Sequence, residues 1–166
     1  MSEAIISFFQ GFNIPSELLV FLVSMFPIVE LRGAIPLGFV LGMNPWIIYI
    51  LSVLGNILPV PFILLLIRPI LNYLLHTKLF RRFGEWLENK AMKHSEKVTK
   101  YEMWGLFLFV AIPLPGTGAW TGALIAALLN MRMKKALPSI ILGVIAAGII
   151  MTFGSSIVAF VVNLFV

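Results

Sequence analysis

The chain contains no cysteine and no aspartate among its 166 residues, and only 11% of them are charged. Without cysteine there are no disulfides, no thiol catalysis and no cysteine metal sites. Without aspartate there are no aspartyl nucleophiles and no proton relays built on that residue. A soluble domain carries about 25% charged residues, so this chain lacks the polar surface to cover a globule. What it has instead is 60% hydrophobic residues and a mean hydropathy of +1.03. Composition therefore predicts an integral membrane protein, and the length predicts a single domain, 1–166. The Met1-Ser-Glu-Ala start lacks the basic region and small-residue cleavage site of a signal peptide and is expected to be mature.

Basic residues are few and grouped. Of the 12 Lys and Arg, eight lie between Arg68 and Lys100, three more are Arg132, Lys134 and Lys135, and the last is Arg32. Basic loops stay on the cytoplasmic side, so both groups are predicted to face the cytoplasm of a multi-pass protein in the cell (inner) membrane.

A spanning helix needs about 20 apolar residues. Two stretches qualify, about Pro45 to Ile67 and about Leu137 to Phe165. Two other apolar regions are interrupted. Leu18 to Gly42 is broken by "FPIVELRGAIP" (Phe26 to Pro36), and Trp104 to Asn130 by "PLPGTG" (Pro113 to Gly118). The apolar fragments are too short to span. With Lys100 and Arg132 both cytoplasmic, the chain between them leaves and returns on one side, as a re-entrant hairpin. The Leu18 to Gly42 region then dips in from the opposite side.

The predicted fold is all-α and integral to the membrane, with two inverted repeats. Each is a re-entrant helical hairpin plus a transmembrane helix: repeat 1 over about 14–68 and repeat 2 over about 104–166. "RGAI" at Arg32 and "TGAL" at Thr121, and the G-x-x-x-G pairs Gly38/Gly42 and Gly118/Gly122, match across the repeats. Such small-residue spacing lets helices approach closely. The linker of about 69–103 places Leu79, Phe80, Phe83, Trp86 and Leu87 opposite Arg81, Arg82, Glu85 and Glu88. That pattern suits an amphipathic helix on anionic headgroups, with a topogenic linker as the alternative. Ala4 to Phe12 is a shorter stretch of the same kind.

Broken backbone at membrane depth survives only where protein buries it or a cavity hydrates it. In transporters two such breaks meet at a midplane site, where half-helix N-termini offer N–H groups to an anion. Glu30 and Arg32 are the only charges in either interrupted region. Intramembrane charges are costly and usually functional. Their expected role is an anion site at Arg32 with Glu30 exchanging a proton, and a buried ion pair pinning the hairpin is the alternative. At the second break Thr117, Trp120 and Thr121 supply a hydroxyl or indole donor, unless the threonines only cap helices. Asn56, within "GNILPVP", is a less certain contact and otherwise bonds across helices. The rival class, an intramembrane enzyme, would need a nucleophile with a base or a metal cluster. The two histidines, His76 and His94, lie outside the breaks, and Ser155 and Ser156 have no evident base. No enzyme activity, cofactor or metal is expected.

"PIVELRGAIPLG" and "IPLPGTGAWTGAL" resemble the small multidrug export protein family of bacteria and archaea, a distant relative of the DedA superfamily. The resemblance covers nearly the whole chain. It implies two re-entrant hairpins in inverted repeats and transport of an anionic, phosphate-bearing lipid (undecaprenyl phosphate-like), coupled to protons. It points to Glu30, Arg32, Gly33, Pro36, Pro113, Pro115, Gly116, Thr117, Gly118 and Gly122. DedA proteins carry acidic residues and arginines in both hairpins, whereas the second break here is uncharged. The expected function is transport of such a lipid. Export of small cationic drugs, or a non-transporting scaffold or assembly role, are the alternatives. Expected partners are membrane lipids with anionic headgroups and a second copy in a homodimer, with no nucleic acid.

Overall fold

The computed structural model describes residues 14–75, 95–114 and 116–165. Every regular element among them is an α-helix: α1 (Ser16–Met25), α2 (Glu30–Val40), α3 (Pro45–Ile57), α4 (Pro59–Leu75), α5 (Ser95–Ala111), α6 (Ala119–Leu128) and α7 (Met133–Phe165).

Local chemistry sets these boundaries. Asn44 caps α3 by accepting a 2.9 Å bond from the Trp46 N–H, and Pro45 follows at the first helical position, where a missing N–H costs nothing. The α3–α4 junction falls at Leu58, just before Pro59, which cannot donate to the turn behind it. α2 and α6 end alike. At α2 the Gly42 and Met43 N–H groups donate to the Phe39 and Gly38 carbonyls at 3.0 and 3.1 Å. At α6 the Asn130 and Met131 N–H groups donate to the Ala127 and Ala126 carbonyls at 3.0 and 2.9 Å. Both are Schellman closures, with Gly42 (φ 70) and Asn130 (φ 53) in the left-handed conformation they require.

Two expectations about the first interrupted region change. The break covers only residues 26–29, because α2 begins at Glu30 and carries Pro36 within it. A lone proline frees one carbonyl, here that of Arg32, without ending the helix. Nor do both members of the first glycine pair serve packing. A Cβ on Gly38 would lie 2.7 Å from Ile48 of α3, but Gly42 has open space around it and acts as the helix stop. In the second half Gly122 packs as expected, with Val110 of α5 at 2.6 Å from a Cβ placed there. Helices enter the expected linker of 69–103 from both sides, α4 running to Leu75 and α5 starting at Ser95. Lys, Glu and Met are good helix formers and carry α5 through the charged stretch before Trp104. The expected interfacial helix, over 79–88, and the stretch before Asn13 lie outside the described residues.

The helices pack as two helix–break–helix units against two long helices. α1 lies on α2 and α3, and α5 lies on α6 and α7. The second helix of each unit also reaches across: α2 contacts α7, and α6 contacts α4. α3 meets α7 where Gly148 leaves Val53 and Tyr49 at 2.8 and 2.9 Å from a would-be Cβ. Leu31, Ile35, Ile48, Val60, Leu64, Val110, Ala123, Ile140 and Val144 form the shared core. Two helical stretches are long and apolar enough to cross a membrane, Pro45–Leu66 and Met133–Val161. They expose Trp46, Phe62, Leu65, Leu66, Phe153, Ile157 and Phe160. Soluble monomers rarely expose contiguous apolar patches beyond a few hundred Å², so the outer surface is that of a membrane protein.

Candidate functional site

The two breaks meet. The first turns at residues 26–29 and restarts at Glu30, which holds φ 50, a left-handed conformation uncommon for a residue with a side chain. The second runs from Ile112 to Gly118. Pro113 removes a backbone donor there, and Gly116 (φ 81) and Gly118 (φ 146) turn the chain. Its loop is tied by the Thr117 hydroxyl, 2.8 and 2.9 Å from the Ile112 and Leu114 carbonyls, with the Leu114 N–H donating to it at 3.3 Å.

Arg32 reaches from α2 into this second break. Its Nη2 donates to Thr117 Oγ1 at 2.7 Å and to the Ile112 carbonyl at 3.4 Å. Its Nη1 donates to the Thr117 carbonyl and to Glu30 Oε2 at 3.2 Å. Glu30, 4% exposed, accepts the Trp120 N–H in the first turn of α6 through Oε1 at 3.1 Å. The Trp120 indole donates back to the Met25 carbonyl at the end of α1, also at 3.1 Å. The carboxylate caps the N-terminus of α6 and so faces the positive end of that helix, while the guanidinium rests on carbonyls of the break itself, Ile112 just past α5 and Thr117 just before α6.

Gly118 makes this closure geometrically feasible. A Cβ there would collide with Glu30 Oε2 and lie 2.6 Å from Arg32 Nη1. Only a residue without a side chain lets the two charges reach the break.

Of the residues expected at the site, Glu30, Arg32, Thr117, Gly118 and Trp120 come together. Pro113 and Gly116 shape the loop around them, Thr121 is half-buried beside Trp120, and Pro115 lies outside the described residues. Three do not line it. A Cβ on Gly33 would meet the Val29 side chain of its own turn, Gly122 faces Val110, and Pro36 lies a turn further along α2. The half-helix N-terminus expected to be open to an anion at α6 is instead held by Glu30. Asn56 is 1% exposed and bonds across no helix, since neither its Oδ1 nor its Nδ2 has a partner. The acceptors missed by sequence reasoning, the carbonyls of Met25, Ile112 and Thr117, belong to the backbone and carry no residue signature.

Among the described residues no group of three or more His, Cys, Asp or Glu is placed to hold a metal ion. One donor is unused. Arg32 Nε is buried without a partner, while the side chain as a whole is 19% exposed.

Comparison with known proteins gives one match. The family described as "Putative small multi-drug export protein" matches over residues 30–150, from Glu30 through both ends of the second break and well into α7. No curated protein and no solved structure matches the chain. The match begins on the carboxylate that caps α6 and spans well over half the sequence, so the chain belongs to the small multi-drug export protein family.

Proposed function

We propose that the protein is a multi-pass inner-membrane transporter for an anionic, phosphate-bearing lipid, and that its two helix–break–helix units are re-entrant hairpins of inverted repeats. The observation that carries the substrate sign is Arg32. It is the one cation at the meeting of the breaks among the described residues, and its Nε is unused. Guanidinium binds phosphate by charge-assisted hydrogen bonds, often bidentate. A cationic drug finds less there, since Glu30 is shared between Arg32 and the Trp120 N–H. The repeat is supported by the matched Schellman ends of α2 and α6 and by the reciprocal reach of α2 to α7 and α6 to α4. The basic groups flanking α5–α6 supply the inversion.

The mechanism follows from competition. The Glu30 carboxylate occupies the α6 N-terminus and one Arg32 nitrogen, the donors a substrate phosphate would use. Protonation of Glu30 weakens both contacts and opens them to the phosphate. Loss of the proton restores the carboxylate as the competing anion and expels the substrate. Proton and anion therefore move as a pair, and no bond is made or broken in the substrate.

Transport in proteoliposomes tests the substrate class. A fluorescent phosphate-headed polyprenyl or diacyl lipid is expected to cross only with protein present, and a cationic dye such as ethidium is not expected to be expelled. Dye export without lipid movement would overturn the anion reading in favour of the drug export in the family's name. Topology is tested separately, and the absence of native cysteine leaves no labelling background. Single cysteines at Lys90 and Arg132 are expected to react only from the cytoplasm, and one at Asn44 only from outside. Labelling of Lys90 and Arg132 from opposite faces would remove the second re-entrant hairpin.

A further inference from the structure

We infer that the α3–α4 junction holds a monovalent cation, bound by neutral oxygens around Ser52 and Asn56. Ser52 is 0% exposed and Asn56 1%, and neither side chain has any hydrogen-bond partner. Buried polar groups in native structures are almost always bonded. Leaving one unbonded is costly, so two on one helix indicate something that satisfies them. They stand four residues apart on the buried face of α3, which places their Cβ atoms about 5–6 Å from each other. A single ion between them is within reach of both oxygens.

The backbone at the junction adds acceptors of the same kind. Pro59 and Pro61 have no N–H, so the carbonyls of Gly55 and Ile57 lose the donors a continuing helix would give them. Leu58 donates only to Leu54, at 3.0 Å. Gly55 is buried against α1, where a Cβ would collide with Ser24 Oγ, so a hydroxyl lies on that side as well.

The donor set selects the ion. Hydroxyl, amide and carbonyl oxygens are hard and neutral, and no acidic residue occurs anywhere on α3 or α4. Divalent calcium and magnesium usually need carboxylates, whereas rings of neutral carbonyls hold alkali ions. In transporters, backbone carbonyls freed from a helix's own hydrogen bonds coordinate sodium. The Asn56 Nδ2 then donates to a water that the ion retains. This site shares no residue with the Arg32 junction, and its test does not depend on the identity of the transported substrate.

The test is thermal unfolding of the full chain in detergent, with sodium or potassium chloride replacing choline chloride at constant ionic strength. A saturable rise in melting temperature is expected with at least one alkali ion. Asn56→Leu should abolish that rise, and Ser52→Ala should increase the half-saturating concentration several-fold. Identical melting in sodium, potassium and choline overturns the proposal, as does an ion response that survives both substitutions. A uniform stabilisation of Asn56→Leu in every salt, with no ion response in the parent chain, also overturns it, since it marks an unsatisfied amide and no ion. Should Asn56→Leu fail to fold, the Ser52→Ala titration decides alone.

Discussion

Arg32→Met is expected to destabilise the protein by about 3–5 kcal/mol, the cost of removing one member of a buried ion pair, and to abolish transport. The guanidinium holds the Thr117 carbonyl and hydroxyl, the Ile112 carbonyl and Glu30 Oε2. Its loss strips the second break of the side chain that spans it and leaves the Glu30 carboxylate with only the Ala119 and Trp120 N–H groups at the start of α6. Arg32→Lys recovers the charge but not the fork, because an ammonium is a point charge and cannot serve both nitrogens' partners at once. It is expected to fold better than Arg32→Met and to bind substrate weakly. The decisive variant is Glu30→Gln with Arg32→Met. The glutamine carbonyl still accepts from Trp120 and the uncompensated charge is gone, so unfolding in detergent should return towards the parent melting temperature. Transport should stay at zero. A folded double variant that moves lipid normally would leave the pair as a structural pin and remove it from the site.

Replacing Gly118 with alanine is expected to be nearly as damaging without altering any charge. The new methyl group collides with Glu30 Oε2 and comes within 2.6 Å of Arg32 Nη1. The backbone there holds φ 146, which side-chain-bearing residues rarely adopt. Neither clash can be relieved by a flexible side-chain end, because both charges are fixed by bonds to the same break. The two units must separate. Overpacking in a tight interior costs about 1–3 kcal/mol, and the strained backbone adds about the same again. Gly116→Ala is the matched control. Gly116 also has positive φ, at 81, but nothing lies within 4 Å of its missing Cβ, so the substitution adds backbone strain alone. Transport in Gly118→Ala should vanish while Gly116→Ala retains a measurable fraction. Equal activity in the two would show that closure of the Glu30–Arg32 junction is not needed for transport.

Much of this was written in the sequence, for reasons of solvent and backbone. Low charge and high hydropathy placed the chain in a membrane because too little polar surface exists to face water. The two interruptions were visible because proline lacks a donor and glycine tolerates φ > 0. Glu30 and Arg32 stood out as the only charges in those regions, and any charge there is expensive. These are local properties, set by one residue or a short run.

Tertiary structure decided the rest. That Glu30 caps α6 and Arg32 holds the second break depends on residues 80 to 90 positions away, and no periodicity carries that pairing. The acceptors are carbonyls, identical in every residue, so their role emerges only when two breaks are brought tip to tip. Sequence assigned Gly38 and Gly42 the same packing role, yet one meets Ile48 and the other stops a helix, a difference set by what lies beyond each Cα. It left Asn56 between a substrate contact and a bond across helices, and only the structure shows its amide buried with no partner at all. Sequence chose the residues that can break a helix and bear charge. Packing determined which helix end each charge would meet, because dipoles and Cβ clearances exist only between elements already in place.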